Sequence, residues 1–188
     1  LCSFYSIMDT QNLENYLKSF GQNVVDDSKK LLYSEKGSTA LGKSIRFKVV
    51  KTANGFSTQF YMDDYGEFLD KGVSGNKNKR SYTSYKHKKE SSPYSYTTKG
   101  PPIDILSKWI KRKGIKPKGL GRGRSKDTGQ FVSGFAYLIS KKIKREGIKS
   151  LSFFQKPLGL WYDRLQDDFL KIFKQDIQTY LTTFYRPK

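Results

Sequence analysis

Apolar side chains recur with two different periods along this chain, and each change of period marks an element. Leu13, Tyr16, Leu17, Phe20, Val24 and Leu31 fall at helical spacing and predict a first helix over about Gln11 to Glu35. Asp9 or Thr10 can cap its start and Gly37 can end it, while Gly21 weakens its middle. Ile45-Arg46-Phe47-Lys48-Val49 then alternates apolar and polar side chains, as a half-buried strand does. Asn54-Gly55 follows, a pair suited to a type I′ hairpin turn because both central positions need φ > 0. The returning strand, Phe56 to Met62, sets Phe56, Thr58, Phe60 and Met62 on one face, and a third short strand is predicted near Glu67 to Leu69.

From Gly72 to Gly100 both periods vanish. Ser, Asn, Lys and Gly dominate, with Tyr82, Tyr85, Tyr94 and Tyr96 between them. A stretch this long exceeds an ordinary connection and reads either as functional or as ordered only on binding. Pro101-Pro102 opens a helix with Ile103, Leu106 and Ile110 on one stripe beside Trp109, stopped by Gly114. A second basic loop runs from Ile115 to about Gln130. Ser133 can cap a third helix, with Phe135, Leu138, Ile139 and Ile143 in register and Gly147 as its end. Beyond Ser152 to Pro157, a last helix of about 24 residues would extend roughly 36 Å. Trp161, Leu165, Phe169, Ile172, Phe173, Tyr180 and Phe184 mark its apolar side. That stripe is longer than a domain of this size needs. Trp161, Leu165, Phe169, Ile172 and Phe173 are therefore candidates for contact with another subunit.

These elements describe one α+β domain over residues 1–188: a small antiparallel β-sheet flanked by helices. The N-terminal helix occupies 9–36 and the hairpin and sheet 44–71. A long basic insertion fills 72–130, with a helix at 102–113, and 131–188 holds the C-terminal helices. At 36% hydrophobic residues the chain can bury a core, but no run approaches the roughly 20 apolar residues that span a bilayer, so no membrane association is expected. Leu1 to Ile7 is apolar yet lacks a basic flank and a small-residue cleavage site, so it reads as an upstream extension before Met8 and not as a signal peptide. The single cysteine, Cys2, provides no disulfide framework, which suits assembly in a reducing cytoplasm.

Charge changes the picture most. The net charge is +19, and Lys71 to Lys126 holds 17 basic residues against Glu90 and Asp104, a local +15. Leu1 to Glu35 carries 3 basic and 5 acidic residues. Such a segment repels itself unless an acidic partner lies against it, either nucleic acid or a neighbouring protein; a solvated loop is the plainer alternative. Lys77, Lys79, Arg80, Lys86, Lys88, Lys89, Arg112, Lys113, Arg122 and Arg124 are the candidate contacts. Interleaved tyrosines fit a single-strand binder, in which a cationic groove follows phosphates and aromatic faces stack on bases, but tyrosine is common in contact loops of every kind.

No reaction is expected. Gly37 to Ser44 matches the phosphate-loop pattern G-x-x-x-x-G-K-S, and Phe60-Tyr61-Met62-Asp63-Asp64 imitates its magnesium-holding strand. That loop must follow a buried strand and open a helix, whereas here a helix precedes it and a strand follows. Asp63, Asp64, Glu67 and Asp70 fit no calcium loop and read as turn formers. His87, the only histidine, stands among Lys86, Lys88 and Lys89 with no orienting partner nearby in sequence. One histidine and one cysteine cannot make a zinc site. Neither cofactor nor metal is expected.

The order of features resembles a known family. Leu41-Gly42-Lys43-Ser44-Ile45 after a leading helix resembles the "T-G-x-L-x-x-S-I" segment of head–tail joining (tail-completion, or neck) proteins of tailed bacteriophages. Tyr65 to Val73 is similar to the family's "Y-A-x-x-x-E-x-G-T" segment, and Ser152 to Leu158 to its "P-F-L-x-P-A" segment. Pro102 to Ile115 looks like the inserted helix of phage neck proteins, and the resemblance runs from about Thr10 to Thr183. Thr39 replaces the usual Gly, Asp70 the usual Glu, and residues 72–130 are longer and more basic than the family pattern. The resemblance implies a virion structural protein assembled in the host cytoplasm, in a closed homo-oligomeric ring of six or twelve copies. Such a ring joins portal or adaptor proteins to tail proteins and lets packaged DNA pass. The alternative is a free nucleic-acid-binding protein acting through its basic loops.

Overall fold

The computed structural model describes residues 10–37, 40–52, 55–115, 122–124 and 131–184. Helices α1 (Gln11–Lys36) and α2 (Ala40–Ser44) lead into strands β1 (Arg46–Thr52) and β2 (Gly55–Tyr61). Helix α3 (Tyr65–Lys71) and strands β3 (Val73–Ser74), β4 (Ser81–Thr83) and β5 (Lys89–Ser91) follow. Then come α4 (Ile103–Arg112), β6 (Arg122–Arg124), β7 (Phe131–Ser133), α5 (Gly134–Glu146), β8 (Gly147–Ile148) and α6 (Gln155–Phe184). Every described sheet is a two-stranded antiparallel pair, so the fold is α+β. No described helix is long and apolar enough to cross a membrane. The chain divides into two compact units: residues 1–66, 84–88 and 153–188, and residues 67–83 and 89–152.

In the first unit, α1 lies against α6 and the β1–β2 hairpin. The core of this unit is aromatic and aliphatic: Leu13, Phe20, Val24, Val25, Leu32, Leu41, Ile45, Phe153 and Phe154 are all buried. Phe60 on β2 sits edge-on to both Phe20 (6.2 Å) and Phe154 (5.4 Å). Gly21 has a packing reason. A Cβ there would fall 2.2 Å from the Phe47 ring, so only glycine lets β1 approach α1 this closely. Leu31, expected in the core, is exposed, and its neighbour Leu32 is fully buried instead. The start of α1 also differs from expectation. Thr10 makes no side-chain cap, and Asp9 lies outside the described residues. Asp176 on α6 takes that role: its buried carboxylate accepts the amides of Asn12 (3.3 Å) and Leu13 (3.1 Å).

Hairpin pairing runs from Arg46↔Tyr61 to Thr52↔Gly55 and sets Phe47 opposite Phe60. Gly55 (φ 137°) therefore belongs to the strand, while Asn54, its expected turn partner, lies outside the described residues. Helix α6 starts at Gln155, ahead of Pro157, because a first-turn proline loses only an amide that had no helical partner. Its 30 residues extend about 45 Å.

The expected third strand at Glu67 to Leu69 is instead part of α3. Gly66, Leu69 and Asp70 face inward at helical spacing, and Glu67 meets Lys71 one turn on at 3.8 Å. In the second unit, the patternless stretch after Gly72 is ordered by backbone pairing. Ser74 N–H donates to Tyr94 O (2.8 Å), Tyr96 N–H to Ser74 O (2.8 Å) and Ser92 N–H to Arg80 O (2.9 Å). Helix α4 lies along α5. Gly114 (φ 66°) and Gly147 (φ 74°) end these two helices as expected. Serine hydroxyls bind the segments together: Ser140 to Pro101 O (2.7 Å), Ser92 to Gly72 O (2.6 Å) and Ser150 to Asp70 O (2.8 Å).

Candidate functional site

Two surfaces have functional chemistry, and each lies within one unit. The first is built on the end of α5. The last carbonyls of a helix need outside donors, and a short arm, residues 75–80, brings them. Asn76 N–H donates to Lys144 O and Lys77 N–H to Arg145 O, both at 2.9 Å, and Arg80 Nε donates to Glu146 O at 2.9 Å. The arm is folded on itself by Gly75 N–H to Asn78 O (2.9 Å) and Arg80 N–H to Ser74 Oγ (3.0 Å). A Cβ at Gly75 would lie 2.4 Å from Arg145 O, so glycine is needed where the arm crosses the helix end.

Between arm and helix opens a cleft of about 700 Å³. Asn76 and Lys77 line it from the arm; Leu138, Lys141, Lys142, Lys144 and Arg145 line it from α5. None of these is acidic. Some of the charge is already engaged: Lys144 Nζ donates to Thr98 O (2.5 Å), Arg145 pairs with Glu146 (2.8 Å), and Lys141 lies 4.7 Å over the Tyr137 ring. The side chains of Lys77 and Lys142 make no hydrogen bond or ion pair among the described residues. The Arg145 hydrogen bond, with the charges of Lys142 and Arg80, holds the Glu146 carboxyl below its ordinary range against the opposing effect of burial.

Of the ten cations singled out in the sequence, Lys77, Lys79 and Arg80 lie on this arm. Lys89 is exposed on β5, Arg112 and Lys113 are exposed at the end of α4, and Arg122 and Arg124 sit two residues apart on β6, opposite Ser133 and Phe131. Lys86 and Lys88 belong to the other unit, so the structure does not gather all ten. Sequence reasoning missed Lys141, Lys142, Lys144 and Arg145. Their signal was the Lys-Lys-Ile-Lys-Arg run, whose charges lie beyond the basic segment ending at Lys126.

The second surface is the outer face of α6. Trp161 is anchored within its own unit, its Nε1–H donating to Asp27 (2.8 Å) with Arg164 stacked 4.5 Å from the ring. Leu165, Ile172 and Phe173 are half-buried, while Phe169 is exposed and stacks on Phe173 at 6.0 Å. Beyond them lie Leu170, Ile177 and Leu181, which are 73%, 36% and 50% exposed. Steps of seven and four residues place these three on one face of the helix, a repeat that the sequence displays.

Residues 84–88 fold onto α6 in the first unit. Tyr85 N–H donates to the Gln155 side chain (3.0 Å), and a Cβ at Gly159 would lie 2.4 Å from Tyr85 O. His87, at φ 56°, has an orienting partner after all: Nε2 lies 2.8 Å from Asp163 Oδ2, 76 residues away in sequence. Both side chains are exposed, and the contact fastens the turn to the helix. Within the phosphate-loop lookalike, Ser38 and Thr39 lie outside the described residues. Ser44 closes the one-turn α2 instead of opening a helix, donating to Leu41 O (2.8 Å) and accepting Asp63 N–H (3.0 Å). Among the described residues, no three His, Cys, Asp or Glu side chains converge as metal ligands. Compared with protein-family models, curated proteins and solved structures, the chain matches none.

Proposed function

We propose that this chain is a structural subunit of the neck of a tailed bacteriophage. Copies close into a ring of six or twelve that joins portal or adaptor proteins to the tail and lets DNA pass. The subunit assembles in the host cytoplasm, ends in the virion and runs no reaction. The observation that supports this most is the outer face of α6. Leu170, Ile177 and Leu181, with Phe169 beside them, form an apolar run on a helix about 45 Å long, in a chain of net charge +19. Covering the exposed parts of these three side chains contributes about 2–5 kcal/mol in all, a part of what a subunit contact needs, and the rest must come from further contacts around the ring. The order of motifs from Leu41 to Leu158 supplies the family expectation.

The test is assembly. Light scattering and negative-stain images of the purified protein are expected to show closed rings. Leu170→Glu/Ile177→Glu/Leu181→Glu is expected to give monomers with unchanged helical circular dichroism, because all three positions are exposed in the single chain. Wild-type protein that remains monomeric at high micromolar concentration and never enters particles overturns the proposal.

A further inference from the structure

Like charges crowd the cleft at the end of α5. Lys141–Lys144 and Lys142–Arg145 are i,i+3 pairs of like charge and Lys141–Arg145 an i,i+4 pair, each unfavourable by about 0.2–0.5 kcal/mol. Proximity to the helix C-terminus offsets part of this. Lys77 adds a fifth cation from the facing arm, and neither its ammonium nor that of Lys142 makes a hydrogen bond or close ion pair among the described residues, although the Lys142 charge acts on the Glu146 carboxyl. The backbone of the arm is fixed by its bonds to the helix carbonyls, so the cations converge on a prebuilt groove.

We infer that this cleft is a binding site for the phosphate backbone of nucleic acid, read without regard to sequence. Four lysines to one arginine is a composition of point charges, suited to phosphates and poorly suited to the bidentate reading of base edges or carboxylates. An acidic peptide would need apolar pockets and free backbone groups to fix it. Here the apolar lining is Leu138 and the aliphatic stems of the lysines, with no formed side-chain pocket, and the arm amides of Asn76 and Lys77 are already engaged with α5, so they cannot register an extended peptide. Contacts of this kind are weak and screened by salt, with dissociation constants on the order of 1–100 μM at physiological salt. A strand can therefore slide over them. The inference concerns one unit alone and holds whether or not the chain closes into a ring.

The test uses full-length protein and a fluorescent random-sequence DNA duplex, read by anisotropy over a salt series. Lys77→Glu/Lys142→Glu is expected to weaken binding at least tenfold at about 50 mM salt and to lower the slope of log K against log salt by about two, roughly one for each phosphate no longer neutralised. Lys43→Glu/Lys48→Glu makes the same charge change at two exposed lysines of the other unit and is expected to cost less than threefold with the slope unchanged. Equal losses from both variants would reduce the effect to net charge and overturn the site, as would no loss from the first. Polyglutamate that displaces the duplex at equal charge concentration would make the partner an acidic protein and also overturn it. Lys77→Gln/Lys142→Gln guards against a charge reversal that disturbs folding: it is expected to keep native circular dichroism and lower the slope in the same way. A native Gln variant with the wild-type slope counts against the site.

Discussion

The two units of this molecule are held together by different means. The first has nine buried apolar side chains among its described residues, three of them phenylalanines, and its long helices are joined by buried or half-buried polar anchors. The second has three, Val73, Ile110 and Ala136, and relies on paired backbone and serine hydroxyls. It also carries 20 basic against 6 acidic residues, a net +14 of the chain's +19. Apolar burial at about 25 cal/mol per Å² has no charge for salt to screen, whereas the self-repulsion of a unit of net +14 is screened. The first unit therefore depends little on charge screening, and the second is the part whose stability is expected to rise as salt screens its charges.

Asp176 is where this contrast is most open to challenge. Asp176→Ala removes the cap of α1 and leaves two amides unpaired, which is expected to cost about 2–3 kcal/mol in denaturant melts. A loss under about 0.5 kcal/mol, within the range of ordinary surface changes, would show that the anchor is dispensable. Gly21→Ala drives a methyl against the Phe47 ring and is expected to cost about 1–2 kcal/mol net, although alanine is the better helix former. Stabilisation by this change would mean that helix and hairpin stand farther apart.

In the second unit single contacts weigh less. Ser140→Ala leaves Pro101 O without its donor and is expected to cost about 1 kcal/mol, seen as faster amide exchange in α4 and α5 with α1 and α6 unaffected. Exchange that rises equally in all four helices would merge the units into one cooperative block. The smallest effect is on pH. Burial, and then the hydrogen bond to Glu90 (2.8 Å), push the Tyr82 hydroxyl up to about 12 from the ordinary value near 10. The neutral form is favoured by folding, so its contribution is complete below about pH 10 and is lost as pH rises through about 12. Tyr16, Tyr94 and Tyr96 are raised as well, so tyrosinate absorbance is expected to show several late-titrating components, of which Tyr82→Phe removes the one near pH 12; an unchanged titration curve contradicts the assignment.

Much of the secondary structure was legible in the sequence because it obeys local rules. The spacing of Leu13, Phe20 and Val24 and the alternation through Phe56, Thr58 and Phe60 reported α1 and β2 nearly to their ends. Gly114 and Gly147 stop their helices because φ > 0 costs glycine little. Leu31 against Leu32 and the order within residues 72–100 were decided by what a distant segment covers or bonds, whereas α3 in place of a strand follows a local helical spacing, Gly66, Leu69 and Asp70, that the strand expectation overlooked. The candidate site was half legible: its arm cations were seen, but the α5 cations, read only as a helix, were not joined to them.

Local patterning along the chain was enough to establish the periods, the charge excess and the helix stops, since each depends on neighbours within a few residues. Folding in three dimensions was needed to place Asp176 as the cap of a helix more than 160 residues away, to bring Asp163 to His87, and to set Lys77 across a groove from Lys142. Such pairings follow from how packed backbones bring remote segments together, and no local pattern encodes that distance.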